Sequence, residues 1–125
     1  MIIGTGIDLC EVARMREAIE RHGQRILNRV FTEAEIAYAQ RKANRFERFA
    51  ARFAAKEAGM KALGTGWRGG LGWRDLEVKN LPSGRPTLAL HGKAAEIAER
   101  LGVRNISLSL THTAEQAMAL VIFED

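Results

Sequence analysis

The segment Arg52-Phe53-Ala54-Ala55-Lys56-Glu57-Ala58-Gly59-Met60-Lys61-Ala62-Leu63-Gly64-Thr65-Gly66 predicts the second half of a long helix that glycine terminates. The same periodicity extends this helix back to Asn44, a suitable N-cap. At about 100° per residue, its apolar positions share one stripe: Phe46, Phe49, Phe53 and Met60. Its cations occupy a separate stripe beside it: Arg45, Arg48, Arg52 and Lys56. Glu57 lies at the edge of the apolar stripe, where a carboxylate must be neutralised, paired or bound to a metal. Glu57 is therefore a candidate ligand.

Length and composition predict one domain over residues 1–125. Apolar residues make up 46% of the chain and charged residues 27%, which is typical of a soluble globular protein. The first apolar run, Met1–Ile7, is too short for a signal peptide or a membrane span. The single cysteine, Cys10, excludes an internal disulfide and fits a reducing cytoplasm, so we expect a cytoplasmic protein.

The charge is unevenly distributed along the chain. Residues 1–61 hold 12 Lys and Arg against 8 Asp and Glu, whereas residues 62–125 hold 7 of each. The excess of positive charge therefore lies in the first half, and much of it falls between Arg41 and Arg52. This concentration indicates an anionic partner, either a polyphosphate, a nucleic acid or an acidic protein.

The remaining patterns predict an α+β fold, in which a small, mainly antiparallel sheet packs with the long helix and shorter helices. Met1–Leu9 is predicted as a strand with Gly4, Gly6 and Asp8 on one face, which leaves room for a backbone or a ligand beside the carboxylate. Alternatively, Asp8 caps the next helix. Three more helices are predicted: one over 11–21, one that begins at a Thr32/Glu35 capping box, and one over 91–101. Strands are predicted over 73–79, 87–90, 105–111 and 117–123.

Asp8 and Glu57 are the two carboxylates least like solvent-facing charges. If the first strand packs on the long helix, they could share Mg²⁺, which takes one or two carboxylates together with substrate phosphates. Lys61 could reach the same phosphates, or it could simply pair with Glu57 one turn away. The tripeptide Gly64-Thr65-Gly66 either only caps the helix or also lets a ligand approach the backbone.

His112 differs from the other histidines because it ends a predicted strand at a hairpin mouth. It is either a turn residue or a contact for a phosphate or a ribose. The sequence shows neither a Cys/His metal cluster nor a Ser-His-Asp order.

Taken together, these motifs resemble the holo-[acyl-carrier-protein] synthase family, the small bacterial type of 4′-phosphopantetheinyl transferase. The resemblance follows the chain through Gly6-Ile7-Asp8-Leu9 with Arg14, Phe31-Thr32 with Glu35, Arg52–Ala58 with Lys61 and Gly64-Thr65-Gly66, Gly84-Arg85-Pro86, and Ser107–His112. Asp8 together with Lys56-Glu57 is its most specific part. Gly59-Met60, where such proteins often carry an aromatic residue, is a mild departure.

The resemblance implies the 4′-phosphopantetheinyl transferase fold and Mg²⁺-dependent transfer of phosphopantetheine from coenzyme A to a serine of apo-acyl carrier protein. Asp8 and Glu57 would hold the metal against the diphosphate, and Lys61 would stabilise the leaving bisphosphate. The serine proton would pass to Glu57 or to a water on the metal, a choice that the motif leaves open. The residues expected to contact coenzyme A are Arg45, Arg52, Lys61, Gly64, Thr65, Gly66 and His112, with Arg45, Arg52 and His112 at the 3′-phosphate and ribose end.

Acyl carrier proteins are acidic, so their capture requires a basic surface. Arg14, Arg21 and Arg25 lie on or just after the first predicted helix and are the candidates for that surface. Similar proteins are homotrimers, and the resemblance therefore also implies a homotrimer. We expect neither a nucleic acid nor a membrane as a partner.

Two other functions use the same features. A metal-dependent phosphohydrolase acting on coenzyme A-like diphosphates would keep the Asp8 and Glu57 site with water as the nucleophile. A nucleic-acid-binding module would explain the sequence pI of about 9.7, but such modules interleave aromatic residues with cations, whereas Phe46, Phe49 and Phe53 fall on the predicted buried stripe.

Overall fold

The computed structural model describes residues 1–67 and 70–125 and has the predicted α+β architecture. The helices are α1 (Val12–His22), α2 (Gln24–Val30), α3 (Glu33–Gln40), α4 (Arg45–Leu63) and α5 (Gly92–Leu101). The strands are β1 (Ile2–Glu11), β2 (Leu76–Asn80), β3 (Pro86–Leu90), β4 (Asn105–His112) and β5 (Gln116–Glu124), and a 3₁₀ turn spans Trp73–Asp75. Within the described residues, no helix is both long enough and apolar enough to cross a membrane.

The described strands form two antiparallel sheets instead of one. The larger sheet has the order β1-β5-β4, and β2 pairs with β3 in the smaller. Residues alternate between the two faces of the larger sheet. The inner face packs on α4, and its β5 residues are all buried: Ala117, Ala119, Val121 and Phe123.

Helix α4 is the central element, and it is buried on most of its circumference because its sequence is rich in alanine. It packs against β1, β5 and β2 and also against α1 and α3. Two of the four cations that the sequence places on a separate stripe are therefore buried. Arg52 is 4% exposed and Lys56 is fully buried.

Two glycines on β1 allow the strand to approach α4 closely. A Cβ atom on Gly4 would overlap the carbonyl oxygen of Ala62, and one on Gly6 would overlap that of Ala58. The space that the sequence predicted beside Asp8 is thus filled by a helix backbone. This close packing brings Asp8 to the helix that carries Glu57.

A buried ion pair connects α3 with α4 and β2. Lys56 Nζ lies 2.7 Å from Glu35 Oε1, both side chains have no solvent exposure, and Nζ also donates to the carbonyl oxygens of Trp73 and Leu76. The predicted capping box at Thr32 is confirmed, since Glu35 Oε1 also accepts the backbone N–H of Thr32. Burial lowers the pKa of Lys56, and the Glu35 carboxylate opposes that change.

Several predictions about the elements need correction. Asp8 does not cap a helix, because β1 continues to Glu11 and α1 begins at Val12. Asn44 occupies the N-cap position of α4 but makes no side-chain cap; its oxygen accepts from Arg48 Nε instead. Residues 73–75 form a 3₁₀ turn before β2 and are not part of the strand. The seven-residue helix α2 was not predicted, since two turns carry too little periodicity.

Candidate functional site

Asp8 and Glu57 come together where β1 crosses α4. Asp8 is on the inner face of β1, and its side chain is mostly buried. Glu57 is half-buried on α4. Burial raises the pKa of Glu57, the negative charge of Asp8 raises it further, and the positive charge of Lys61 opposes both. The two carboxylates are therefore close enough to repel each other, which is the arrangement that a bound cation relieves.

Lys61 supplies a positive charge at this pair. Its Nζ lies 2.9 Å from Asp8 Oδ1 and donates to the carbonyl oxygen of Ile7 at 3.1 Å. The bond with Asp8 raises the pKa of Lys61. Lys61 thus pairs with a carboxylate from another element instead of Glu57 on its own helix. Its side chain is 49% exposed, so its ammonium can turn towards a bound anion.

The glycine-rich end of α4 follows one turn after Lys61. Gly64 has a φ of 78° and its N–H donates to the carbonyl oxygens of Met60 and Lys61, which confirms the predicted C-cap. Thr65 and Gly66 continue the chain past the helix end. Their predicted contact with a ligand stays a prediction.

A groove of about 470 Å³ opens next to Glu57. Its apolar lining comes from α1, α2 and α4 through Met15, Ala18, Ile26 and Phe53, and Arg14 lies at its edge. Sequence reasoning missed this groove because α2 was not predicted. Arg14, Arg21 and Arg25 are exposed as expected, on α1 and α2.

The predicted contacts for the 3′-phosphate lie in two different environments. His112 ends β4, and its Nδ1 lies 2.8 Å from Oε1 of Glu47 in the first turn of α4. Arg45, in the same turn, is exposed and stacks on Phe46 with 4.4 Å between guanidinium carbon and ring centroid. Arg52 instead points inward.

The Arg52 guanidinium lies 4.0 Å from the centroid of the Tyr38 ring and donates from Nη2 to Asn80 Oδ1 at 2.9 Å. Burial lowers the pKa of Arg52. The structure therefore does not present this side chain to solvent, and its contact with coenzyme A stays a prediction that its burial does not support.

Cys10 has no catalytic environment. Burial raises the pKa of its thiol to about 11, so the thiolate nucleophile is scarce at neutral pH.

Comparison with known proteins gives a consistent picture. Residues 4–121 match the family model of the 4′-phosphopantetheinyl transferase superfamily. The chain is 63% identical to a holo-[acyl-carrier-protein] synthase of Solibacter usitatus, over the full length of both. A crystal structure of the corresponding synthase from Neisseria meningitidis superposes with a TM-score of 0.89 at 31% identity, and all of both chains is covered. That from Helicobacter pylori, solved in complex with coenzyme A, gives 0.84 at 29% identity, covering 96% of this chain and 99% of the other.

Proposed function

We propose that this chain, which belongs to the 4′-phosphopantetheinyl transferase superfamily, transfers 4′-phosphopantetheine from coenzyme A to a serine hydroxyl of apo-acyl carrier protein. The products are holo-acyl carrier protein and adenosine 3′,5′-bisphosphate. The observation that carries this assignment is the meeting of Asp8, Glu57 and Lys61 at the crossing of β1 and α4 in a chain that matches a synthase from end to end. We also propose that residues 1–125 form one domain and that the protein works in the cytoplasm.

The donor set suits Mg²⁺. Asp8 and Glu57 offer the carboxylate oxygens that this hard cation prefers. In residues 1–67 and 70–125 no group of three or more His, Cys, Asp or Glu side chains is placed to hold a metal ion, so the proposed site has two protein ligands. When bound, Mg²⁺ would neutralise charge on the transferring phosphoryl group.

The protein's own residues then divide the remaining work. Lys61 would leave Asp8 and follow the diphosphate, offsetting the charge of the leaving bisphosphate. Glu57 would hold the cation and is a candidate to receive the serine proton. Gly64, Thr65 and Gly66 would border the diphosphate, and Arg45 and His112 would contact the 3′-phosphate and ribose end.

The carrier protein would dock on α1 and α2. Arg14, Arg21 and Arg25 give this surface a positive charge that matches an acidic partner and speeds encounter. The groove between Arg14 and Glu57 offers an apolar anchor point next to the reacting groups. A carrier protein held there would present its serine to the carboxylate pair.

We further propose that the protein assembles as a homotrimer through the outer face of the larger sheet. Apolar side chains cover this face in two paired rows, Ile7 with Leu120 and Leu9 with Met118, and Ile7 is 57% exposed. Such a contiguous apolar patch is typical of a protein–protein interface. A neighbouring subunit would bury it and enlarge the surface available to coenzyme A.

Neither alternative function gains support. Nucleic-acid binding is disfavoured because two of the cations on α4, Arg52 and Lys56, are buried.

A transferase needs the carrier protein as the acceptor, whereas a phosphohydrolase does not. Release of adenosine 3′,5′-bisphosphate from coenzyme A, followed by liquid chromatography with and without apo-acyl carrier protein, tests this directly. We expect release only when the carrier protein is present; equal release without it would favour the hydrolase.

A further inference from the structure

The first turn of α4 forms a polar contact with the last residue of β4. Oε1 of Glu47 lies 2.8 Å from Nδ1 of His112, and both side chains keep about a quarter of their surface exposed, 24% and 26%. The two residues are 65 positions apart in the sequence, so the fold alone brings them together.

Glu47 makes this contact instead of a more local one. It is the third residue of α4, the position from which a glutamate side chain usually folds back onto the N-cap amide. Glu35 does so at the corresponding position of α3. In α4 the N-cap residue Asn44 makes no side-chain cap, and Glu47 reaches across to β4. Because this helix start lacks a side-chain cap, capping alone does not account for a glutamate at position 47.

The contact fixes how His112 meets a ligand. An ionised carboxylate only accepts hydrogen bonds, so Nδ1 of His112 carries a proton and Nε2 is the nitrogen left for a ligand. A phosphate oxygen is also an acceptor, so a ring that binds one through Nε2 is protonated on both nitrogens. The hydrogen bond with the Glu47 carboxylate holds the plane of the ring.

The surroundings favour an anion. A groove of about 300 Å³ runs along Glu47 and Phe46 to Ala114 in the β4–β5 turn. Two guanidinium groups stack on Phe46, with carbon-to-centroid distances of 4.4 Å for Arg45 and 5.0 Å for Arg16. Along α4 this end is ten residues from Glu57, or about 15 Å at 1.5 Å per residue. Glu47 is therefore not part of the carboxylate pair.

We propose that Glu47 is a positioning residue that holds His112 so that Nε2 donates to the 3′-phosphate of coenzyme A. Glu47 itself does not contact the donor, since its charge would repel a phosphate. This inference rests on the proposed function, because it needs coenzyme A as the donor and His112 at its 3′-phosphate.

The test compares coenzyme A with 3′-dephospho-coenzyme A as donors for apo-acyl carrier protein. For Glu47→Ala we expect the KM for coenzyme A to rise about tenfold, because one charge-assisted hydrogen bond to the donor is lost when His112 is no longer held in place. The kcat with both donors and the KM for the dephospho donor should stay within about twofold. Glu47→Gln, whose neutral oxygen still accepts, should give a smaller rise. Glu33→Gln, which removes an exposed carboxylate from the first turn of α3, is the matched control and should change neither KM.

A double-mutant cycle with His112→Asn completes the test. If Glu47 acts through His112, Glu47→Ala should have no further effect on the KM for coenzyme A in the His112→Asn background. Equal losses with both donors, or additive effects of the two substitutions, would overturn the positioning role. Wild-type protein that transfers from neither donor would instead overturn the proposed function.

Discussion

The ionised carboxylate of Glu57 lowers the free energy of unfolding, and this effect should depend on pH. Its pKa is raised in the folded protein, so the folded state binds the proton more tightly than the unfolded chain. The resulting contribution to stability is complete below the ordinary glutamate pKa and is lost as pH rises from there through the raised pKa of the folded protein. Glu57→Gln should therefore stabilise the metal-free protein near neutral pH and lose that advantage in acid. Urea unfolding across pH measures this. A variant less stable than wild type at neutral pH would contradict the assignment.

Glu57→Gln should slow the transfer reaction even though it stabilises the metal-free protein. An amide is a poor ligand for Mg²⁺ and a poor base, so we expect Glu57→Gln to lower kcat by on the order of 10²-fold or more. In the metal-free protein the pKa of Glu57 is raised, so Mg²⁺ has to displace a proton from Glu57 at a higher pH than an unperturbed glutamate would require, and Mg²⁺ binding should weaken as pH falls towards that range. An affinity for Mg²⁺ that stays constant down to the ordinary glutamate range would argue against Glu57 as the titrating group.

We propose that Arg14 contacts the carrier protein and not coenzyme A. Arg14→Glu should raise the KM for apo-acyl carrier protein about tenfold by reversing charge at the groove, while the KM for coenzyme A stays unchanged. Arg100→Glu reverses an exposed charge on α5 and serves as the control. A similar loss for both substrates would mean that Arg14 does not separate them.

Local patterns in the sequence found the individual site residues but not all their partners. Asp8 and Glu57 could be selected because a carboxylate on an apolar face is unusual. The pairing of Lys61 with Asp8 could not be predicted, since helical spacing offers Glu57 as its neighbour and Asp8 lies 53 positions away. The contact of Glu47 with His112 was missed for the same reason.

The approach of β1 to α4 depends on the absence of side chains at two positions. Gly6→Ala would force its Cβ into the carbonyl oxygen of Ala58, so we expect a loss of several kcal/mol in the free energy of unfolding, measured in urea. Asp8 would move away from Glu57, and transfer should be lost with it. Gly59→Ala, whose Cβ meets only the side-chain ends of Leu76 and Leu88, is the milder control. Equal tolerance of both substitutions would show that close packing at Gly6 is not required.

The ion pair of Lys56 with Glu35 anchors α4 to α3 and β2. Lys56→Met removes the cation and leaves a buried carboxylate, which should cost about 3–5 kcal/mol of unfolding free energy. Combining it with Glu35→Gln removes the uncompensated charge, but the single amide oxygen can accept from only one of the two N–H groups, Thr32 or Val78, that Glu35 binds. We expect part of the loss to be recovered in the double variant. A single variant that loses less than about 1 kcal/mol would contradict the anchoring role.

Helix α4 also shows where prediction of the elements failed. Its position and both ends were predicted from periodicity and glycine. Its burial was misjudged, because a helical projection separates cations from aromatic residues but does not reveal that alanine lets neighbours pack on nearly every side. Two sheets were predicted as one, since strand pairing depends on long-range contacts that local alternation does not encode.

The proposed homotrimer can be tested by substitutions on the exposed apolar face of the larger sheet. Ile7→Arg places a charge on the outer face of the larger sheet, within the exposed apolar patch, so we expect it to convert a trimer into monomers in analytical ultracentrifugation. Leu81→Arg changes another exposed apolar residue, away from that face, and should leave the trimer intact. A wild-type protein that sediments as a monomer would contradict the proposed assembly.

Intact mass spectrometry of apo-acyl carrier protein, incubated with this protein and coenzyme A, tests the proposed transfer most directly. With Mg²⁺ and wild-type protein we expect the carrier protein to gain the mass of one phosphopantetheine. The gain should disappear with a chelator, with Glu57→Gln, or with a carrier protein whose acceptor serine is replaced by alanine. An unchanged carrier-protein mass with fully folded wild-type protein would contradict the assignment, and an undiminished gain with Glu57→Gln would contradict the role of the carboxylate pair.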